Sequence, residues 1–228
     1  HAIAGERTRI HYWFERKPLQ KACESSSEYN YRLVKFKHRI KDLQCYSIRA
    51  VVVDSYEQIT EILKILLSRY NASKVFISGS AHRYESYEEN DVDAFIYELS
   101  KELIKKDYKI ISGFGKRIGS SVINGSLAGI NEYRDRDIKS NLILRPFPQN
   151  IVDLSKRKYM FTKYREDMLS EAGVAIFMFG NKLSQKESTI VEADGVLEEY
   201  SIAKKRGVKV IALGCTGGAA KKIWEEQM

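Results

Sequence analysis

From Lys74 onward the chain alternates between short runs that are apolar throughout and longer segments whose apolar residues recur every three or four positions. The short runs are "KVFIS" (74–78), "YKIIS" (108–112), "LILR" (142–145), "GVAIFMFG" (173–180) and "VKVIALG" (208–214). They are strand-length and apolar at successive positions, as strands buried on both faces are. The longer segments are "VDAFIYELSKELIKK" (92–106), residues 119–130, "YMFTKYREDMLSEA" (159–172), "GVLEEYSIAKKRG" (195–207) and "GGAAKKIWEEQ" (217–227). Their spacing predicts amphipathic helices, the one over 195–207 closed by a glycine C-cap. Strand and helix in alternation predict an α/β fold, a doubly wound, Rossmann-like parallel sheet covered on both faces, from residue 72 onward.

The segment before residue 72 has a different texture. Residues 6–44 are basic and mostly helical in pattern, and Pro18 and "ESSSE" (24–28) divide them into a strand-like piece and a helix. "CYSIRAVVVD" (45–54) predicts a buried parallel strand. In "SYEQITEILKILLSRY" (55–70), Ile59, Ile62, Leu63, Leu66 and Leu67 make one apolar helical face, and Ser55 with Gln58 has the spacing of a capping box. "NAS" (71–73) marks the boundary, giving two domains over 1–71 and 72–228. There are no internal repeats and no low-complexity stretch.

Composition narrows the function classes. The net charge is +8, but the 38 basic residues are interspersed with 30 acidic ones. That favours a solvated surface with a pocket for a small anion over a nucleic-acid interface, so no nucleic-acid partner is expected. The 3 cysteines, Cys23, Cys45 and Cys215, lack metal-ligand spacing and read as reduced thiols of a cytoplasmic protein. No apolar run reaches the roughly 20 residues that span a bilayer, so no membrane association is expected. The first residue is His1 with no signal pattern after it, which reads as a piece of a longer chain.

A parallel sheet presents its ligand site beyond the C-terminal ends of its strands. The residues there are "SGSA" (78–81), "GFGKRIGS" (113–120), "RPFPQ" (145–149), "GNK" (180–182) and "GCTGG" (214–218). Glycines and hydroxyls with fixed cations, and few carboxylates, suit phosphate. The candidates are Gly79, Ser80, Gly113, Phe114, Gly115, Arg145, Lys163, Asn181 and Glu199. Several have a plainer alternative. The glycine loop is either a phosphate cradle or a tight helix-packing turn. Its G-x-G-x-x-x-G spacing is one longer than the dinucleotide fingerprint, and no acidic ribose clamp follows convincingly, which disfavours a conventional dehydrogenase. Arg145 is a stiffly held phosphate ligand or a surface arginine in a proline turn. Lys163, Tyr164 and Arg165 line the site or a solvated helix face. Glu198 and Glu199 accept hydrogen bonds from a ribose or base, or merely favour a helix start. No nucleophile elbow, paired-histidine metal motif or Walker loop is present; of the 4 histidines only His82 lies near this edge.

Taken together, "VFISGSA", "LSKELIKKDYKIISGFGKRIGSSVING", "LILRPFPQ", "KYREDM", "FMFGNK" and "GVLEEY" resemble, in this order, the SLOG-type sensor domain of Thoeris antiphage effectors, over residues 74–228. Residues 1–70 resemble the end of the SIR2-like domain that precedes that sensor, with "SIRAVVVDSYEQITEILKIL" matching its last strand and helix. The resemblance implies a regulatory sensor of a cyclic ADP-ribose isomer made by a partner TIR-domain synthase. Binding would activate NAD+ hydrolysis by the SIR2-like domain of a homotetramer whose sensor domains pair as homodimers. The catalytic residues would precede this chain, which would hold no catalytic residue, metal or cofactor of its own; NAD+ would be the substrate of the missing part. By the same resemblance Arg145 and Lys163 contact ligand phosphate, and Gly79, Ser80, Gly113, Gly115 and Glu199 line the pocket. Gly115-Lys116-Arg117 adds positive charge to the loop, and 150–160 is basic and variable; both bear on isomer preference. The alternative is an enzyme of the same superfamily, a LOG-like nucleotide phosphoribohydrolase or a nucleoside deoxyribosyltransferase. Those enzymes carry "PGGxGT" before their glutamate, where this chain reads "EADGVLEE".

Overall fold

The structure, a computed structural model, describes residues 11–46, 48–133, 136–148, 150–184 and 189–228. Residues 6–10 of the first basic run and Gln149 of "RPFPQ" lie outside the described residues. The chain divides into two compact units, His1–Leu67 and Ser68–Met228.

In the first unit, strands β1 (His11–Arg16) and β2 (Ile48–Val53) pair in parallel, Trp13 opposite Ala50. A parallel pair needs a crossover, and helix α1 (Ser26–Cys45) supplies it. The "ESSSE" break serves as its cap: Ser25 Oγ accepts the Glu28 N–H, and the Glu28 carboxylate accepts the Ser25 N–H at 2.9 Å. Helix α2 (Glu57–Ala72) follows, and the division between the two compact units falls within it. In place of the predicted Ser55–Gln58 capping box, the Gln58 side chain accepts the N–H of Asp54 at 2.8 Å.

The second unit continues with β3 (Lys74–Ser80), α3 (Glu89–Lys105), β4 (Lys109–Ser112), α4 (Ile118–Asn131), the short α5 (Ile138–Asn141), β5 (Leu142–Leu144), α6 (Leu154–Glu171), β6 (Val174–Phe179), β7 (Asn181–Leu183), β8 (Ile190–Glu192), α7 (Asp194–Arg206), β9 (Lys209–Leu213) and α8 (Gly218–Gln227). Five strands form one parallel sheet in the order β5-β4-β3-β6-β9. Alternate residues of the buried strands serve opposite layers. Val75, Ile77 and Ile110 pack with Ile96, Ile104 and Val122 of α3 and α4. Phe76, Ile111 and Phe177 pack with Met168, Leu169, Val196 and Ile223 of α6, α7 and α8. The doubly wound α/β fold is as the apolar runs predict. Gly125 lets α4 lie against α3, since a Cβ there would come within 2.1 Å of the Tyr97 carbonyl oxygen.

Two features differ from the sequence pattern. Helix α6 starts at Leu154, well before Tyr159, because the Asp153 carboxylate caps the N–H groups of Ser155 and Lys156 at 2.8 and 3.0 Å. The "LSKRK" turn carries no apolar period, so only the cap signals it. The antiparallel hairpin β7–β8 is likewise unpredicted, its three-residue strands being too short for a period of two to show. Among the described residues no helix is long and apolar enough to cross a membrane.

Candidate functional site

The chain runs β3 to β4 to β5 in one direction and then returns to place β6 on the other side of β3. The switch point therefore lies beyond Ser80 and Phe179, where such sheets hold ligands. Here the chain stitches itself together. The Gly180 N–H donates to Ser80 O at 2.9 Å, and the Ala193 and Ala219 N–H groups donate to Gly180 O. Asn181 is buried, its side-chain oxygen accepting the His82 and Arg83 N–H groups at 2.7 and 3.2 Å and its amide donating to Arg83 O at 2.9 Å. Asn181 thus shapes the loop that follows β3.

The glycine loop crosses the end of β3. A Cβ on Gly115 would sit 1.8 Å from Gly79 O, and one on Gly79 would sit 2.6 Å from Met178 O. The contact is backbone on backbone, and Ala81 N–H donates to Lys116 O at 3.1 Å. Phe114 and Arg117 hold left-handed conformations, φ 60° and 64°, which residues with a Cβ adopt with strain. Arg117 secures the turn by donating to His82 O at 2.8 Å and to Glu89 at 2.6 Å, with its guanidinium over the Tyr84 ring. The positive charge at Arg117 is therefore already paired. Phe114 is half exposed. Gly115→Ala is expected to lower the melting temperature, since overpacking of this kind costs roughly 1–3 kcal/mol or more; a thermal unfolding curve checks it.

Arg145 and Lys163 meet in one groove. It has a volume of about 870 Å3, lies between the end of β5 and α6, and is lined also by Pro146, Tyr159, Tyr164 and Asp167. Two cations beside aromatic faces within one cleft are suited to an anion that carries rings. Arg145 is not idle there: its Nη2 donates to Glu171 at 2.7 Å, both side chains being about one-third exposed. Among the described residues Lys163 is in no ion pair.

Beside this groove, under Phe147, lies a buried charged cluster. Arg165 donates from Nη1 to Glu198 at 2.9 Å and its guanidinium lies over the rings of Phe147 and Phe161, at 4.9 and 5.8 Å. Its Nε is 3.4 Å from Glu199, at ion-pair distance but without hydrogen-bond geometry, and this is a buried polar atom with no hydrogen-bond partner. Glu198 also accepts from Thr162. Glu199 is buried and accepts from Ser78 Oγ at 2.5 Å. Burial pushes the Glu199 carboxyl above its usual range, against the opposing pull of the Ser78 hydrogen bond and of Arg165. A Cβ on Gly195 would strike the Arg165 guanidinium at 2.6 Å, which explains the glycine in the first turn of α7.

The structure thus joins Gly79 to Gly115 and Arg145 to Lys163. Gly113 lies between them, with a would-be Cβ 2.9 Å from Phe147 and 3.3 Å from Met168. Glu199 sits beneath, held by protein partners. Arg165 has the larger structural part of the "KYRED" pair, and the sequence signal that separates it from Lys163 is its i, i+3 spacing to buried Met168. Among the described residues no group of three or more His, Cys, Asp or Glu is placed to hold a metal ion.

Known proteins bear on these features. The description of the Sir2- and TIR-associating SLOG family, STALD, matches residues 58–228. The NAD(+) hydrolase ThsA of Cytobacillus dafuensis is 41% identical over 232 residues, covering 98% of this chain and 47% of that protein. The proteins of the same name from Bacillus cereus and Acinetobacter baumannii are 38% and 35% identical, over 96% and 97% of this chain and 44% and 47% of their own lengths. The chain spans about half the length of these curated relatives.

Proposed function

The chain belongs to the Sir2- and TIR-associating SLOG family, and from that premise we propose that it is the sensor part of a ThsA-type NAD+ hydrolase, binding an isomer of cyclic ADP-ribose as its signal. The signal comes from a TIR-domain synthase, and binding releases NAD+ hydrolysis by the SIR2-like part of the same cytoplasmic protein, a homotetramer with paired sensor domains. The observation that carries this reading is the convergence of Arg145 and Lys163 on one groove with Pro146, Tyr159 and Tyr164. A pyrophosphate takes the cations and a base or ribose takes the aromatic wall. The volume falls in the range of small-molecule sites, about 300–1,000 Å3. On this reading Gly79, Ser80, Gly113, Phe114 and Gly115, which are not among the residues lining the groove, take the rest of the ligand at the strand ends, and Asn181 acts through the loop after β3.

Titration calorimetry of the chain with cyclic ADP-ribose isomers tests the proposal. Binding of at least one isomer is expected, and absence of heat with all of them would remove it.

One observation favours the enzyme alternative, a phosphoribohydrolase or deoxyribosyltransferase: a carboxyl raised in pKa beside an arginine has the makings of a general acid. Against it, Glu199 is buried and its carboxyl is held by Ser78. Release of free base from nucleotide monophosphates, lost in Glu199→Gln, would favour the enzyme; no release is expected.

A further inference from the structure

Glu171 is the last residue of α6 and faces two cations at once. One carboxylate oxygen accepts from Arg145 of the groove at 2.7 Å; the other lies 3.4 Å from the Lys74 ammonium. The two cations differ in kind. Arg145 is more than one-third exposed, whereas the Lys74 side chain is only 6% exposed, and Glu171 is its one ion-pair partner among the described residues. The Lys74 ammonium also lies over the ring of Tyr70, 4.3 Å from its centroid. Tyr70 stands in the last turn of α2, the helix within which the two units divide. That turn is seated on the same end of α6: Asn71 Nδ2 donates to Ser170 O at 3.3 Å, and a Cβ on Gly173 would come within 2.4 Å of Asn71 O.

We propose that Glu171 couples the Arg145 groove to the last turn of α2, and so to the segment joining the two units. The inference rests on the sensor reading, since it takes an anionic ligand at Arg145 as its input. An exposed arginine–carboxylate pair is weak, so a phosphate in the groove draws Arg145 away at little cost. A buried ammonium cannot lose its carboxylate so cheaply. Glu171 therefore turns wholly to Lys74, fixes it over Tyr70, and tightens the seat of the last turn of α2, Tyr70 and Asn71, on the end of α6. The two-state element is the carboxylate, shared or unshared, and both ends of the connection bias it.

Hydrogen exchange followed by mass spectrometry on the whole chain tests this at residues 68–74. Arg145→Ala frees Glu171 without any ligand, and it is expected to slow exchange there roughly two- to fivefold, the range of one exposed ion pair. Lys163→Ala, which removes a groove cation that does not touch Glu171, leaves the segment unchanged. In Glu171→Gln the Arg145→Ala effect disappears. A cyclic ADP-ribose isomer slows the same segment in the wild type and not in Glu171→Gln, which binds it roughly threefold more tightly because the competing acceptor for Arg145 is gone. Unchanged exchange in Arg145→Ala, or a ligand response that survives in Glu171→Gln, would overturn the coupling. If no isomer binds, the sensor reading fails by itself, and the ligand-free comparison still decides whether Glu171 couples the two places.

Discussion

Arg165→Met should lower the melting temperature of this chain by roughly 6–20 °C. The methionine keeps most of the volume between Phe147 and Phe161 and removes only the charge and its hydrogen bonds. What remains is a carboxyl at Glu199 that is buried with no cation beside it. Breaking a buried ion pair by removing one partner costs about 3–5 kcal/mol, and a domain of this size shifts by about 2–4 °C for each kcal/mol. Glu198, a third exposed, relaxes toward water and adds little. The double variant Arg165→Met, Glu199→Gln should recover part of the loss, because the unpaired acid is then gone. A recovery of nothing would mean that the arginine acts only by packing against the two rings. Thermal unfolding of the wild type, Arg165→Met, Glu199→Gln and the double variant measures this directly.

The same cluster sets a pH dependence. Burial holds the Glu199 carboxyl above the ordinary carboxylate range. The folded chain therefore keeps a proton that the unfolded chain has released, so this group's contribution is complete below the ordinary carboxylate pKa and is lost as pH rises through the raised value. Glu199→Gln lacks that titration. Its stability relative to the wild type should rise across that window and level off beyond it; a difference that falls with pH would reverse the assignment.

Arg145→Ala is expected to weaken binding of a cyclic ADP-ribose isomer at least tenfold. A charged hydrogen bond is worth roughly 1.5–3 kcal/mol, and each 1.4 kcal/mol is a factor of ten. The Glu171 pair offsets part of this, because the wild-type arginine must leave one acceptor to take another. Arg145→Lys should recover little, since a point charge cannot reproduce the guanidinium fork. Calorimetry on the three proteins separates these outcomes, and the fold itself should be untouched, because Arg145 is partly exposed at the edge strand.

The sheet and its layers are legible in the sequence because burial on both faces leaves an unambiguous mark: "KVFIS" and "GVAIFMFG" have no polar period to confuse them with anything else. The glycine loop is legible for the same reason that Gly115 is required, a backbone laid on a backbone. What the pattern does not reveal is pairing across distance. The convergence of Glu199, Ser78 and Arg165 joins residues far apart in the chain; in sequence Glu199 and Arg165 read as site candidates or helix-face positions, and nothing in it signals that they meet. Asn181 is similar: "GNK" looks like a ligand-facing turn, and its amide instead fixes the backbone at His82 and Arg83. Local patterning records which face of an element is buried; it does not record which buried polar groups meet. Lys163 and Arg165 show the difference most clearly, two residues apart on α6, one facing the groove and the other nine-tenths buried.

The proposed role is that the chain binds its signal and leaves it whole. The direct measurement is to incubate the protein with a cyclic ADP-ribose isomer, separate it from free ligand by gel filtration, denature it, and identify by chromatography what was carried through. Intact cyclic ligand should be retained by the wild type and lost in Arg145→Ala. Failure of the wild type to retain any isomer, or recovery of free base or opened ADP-ribose in its place, would contradict it.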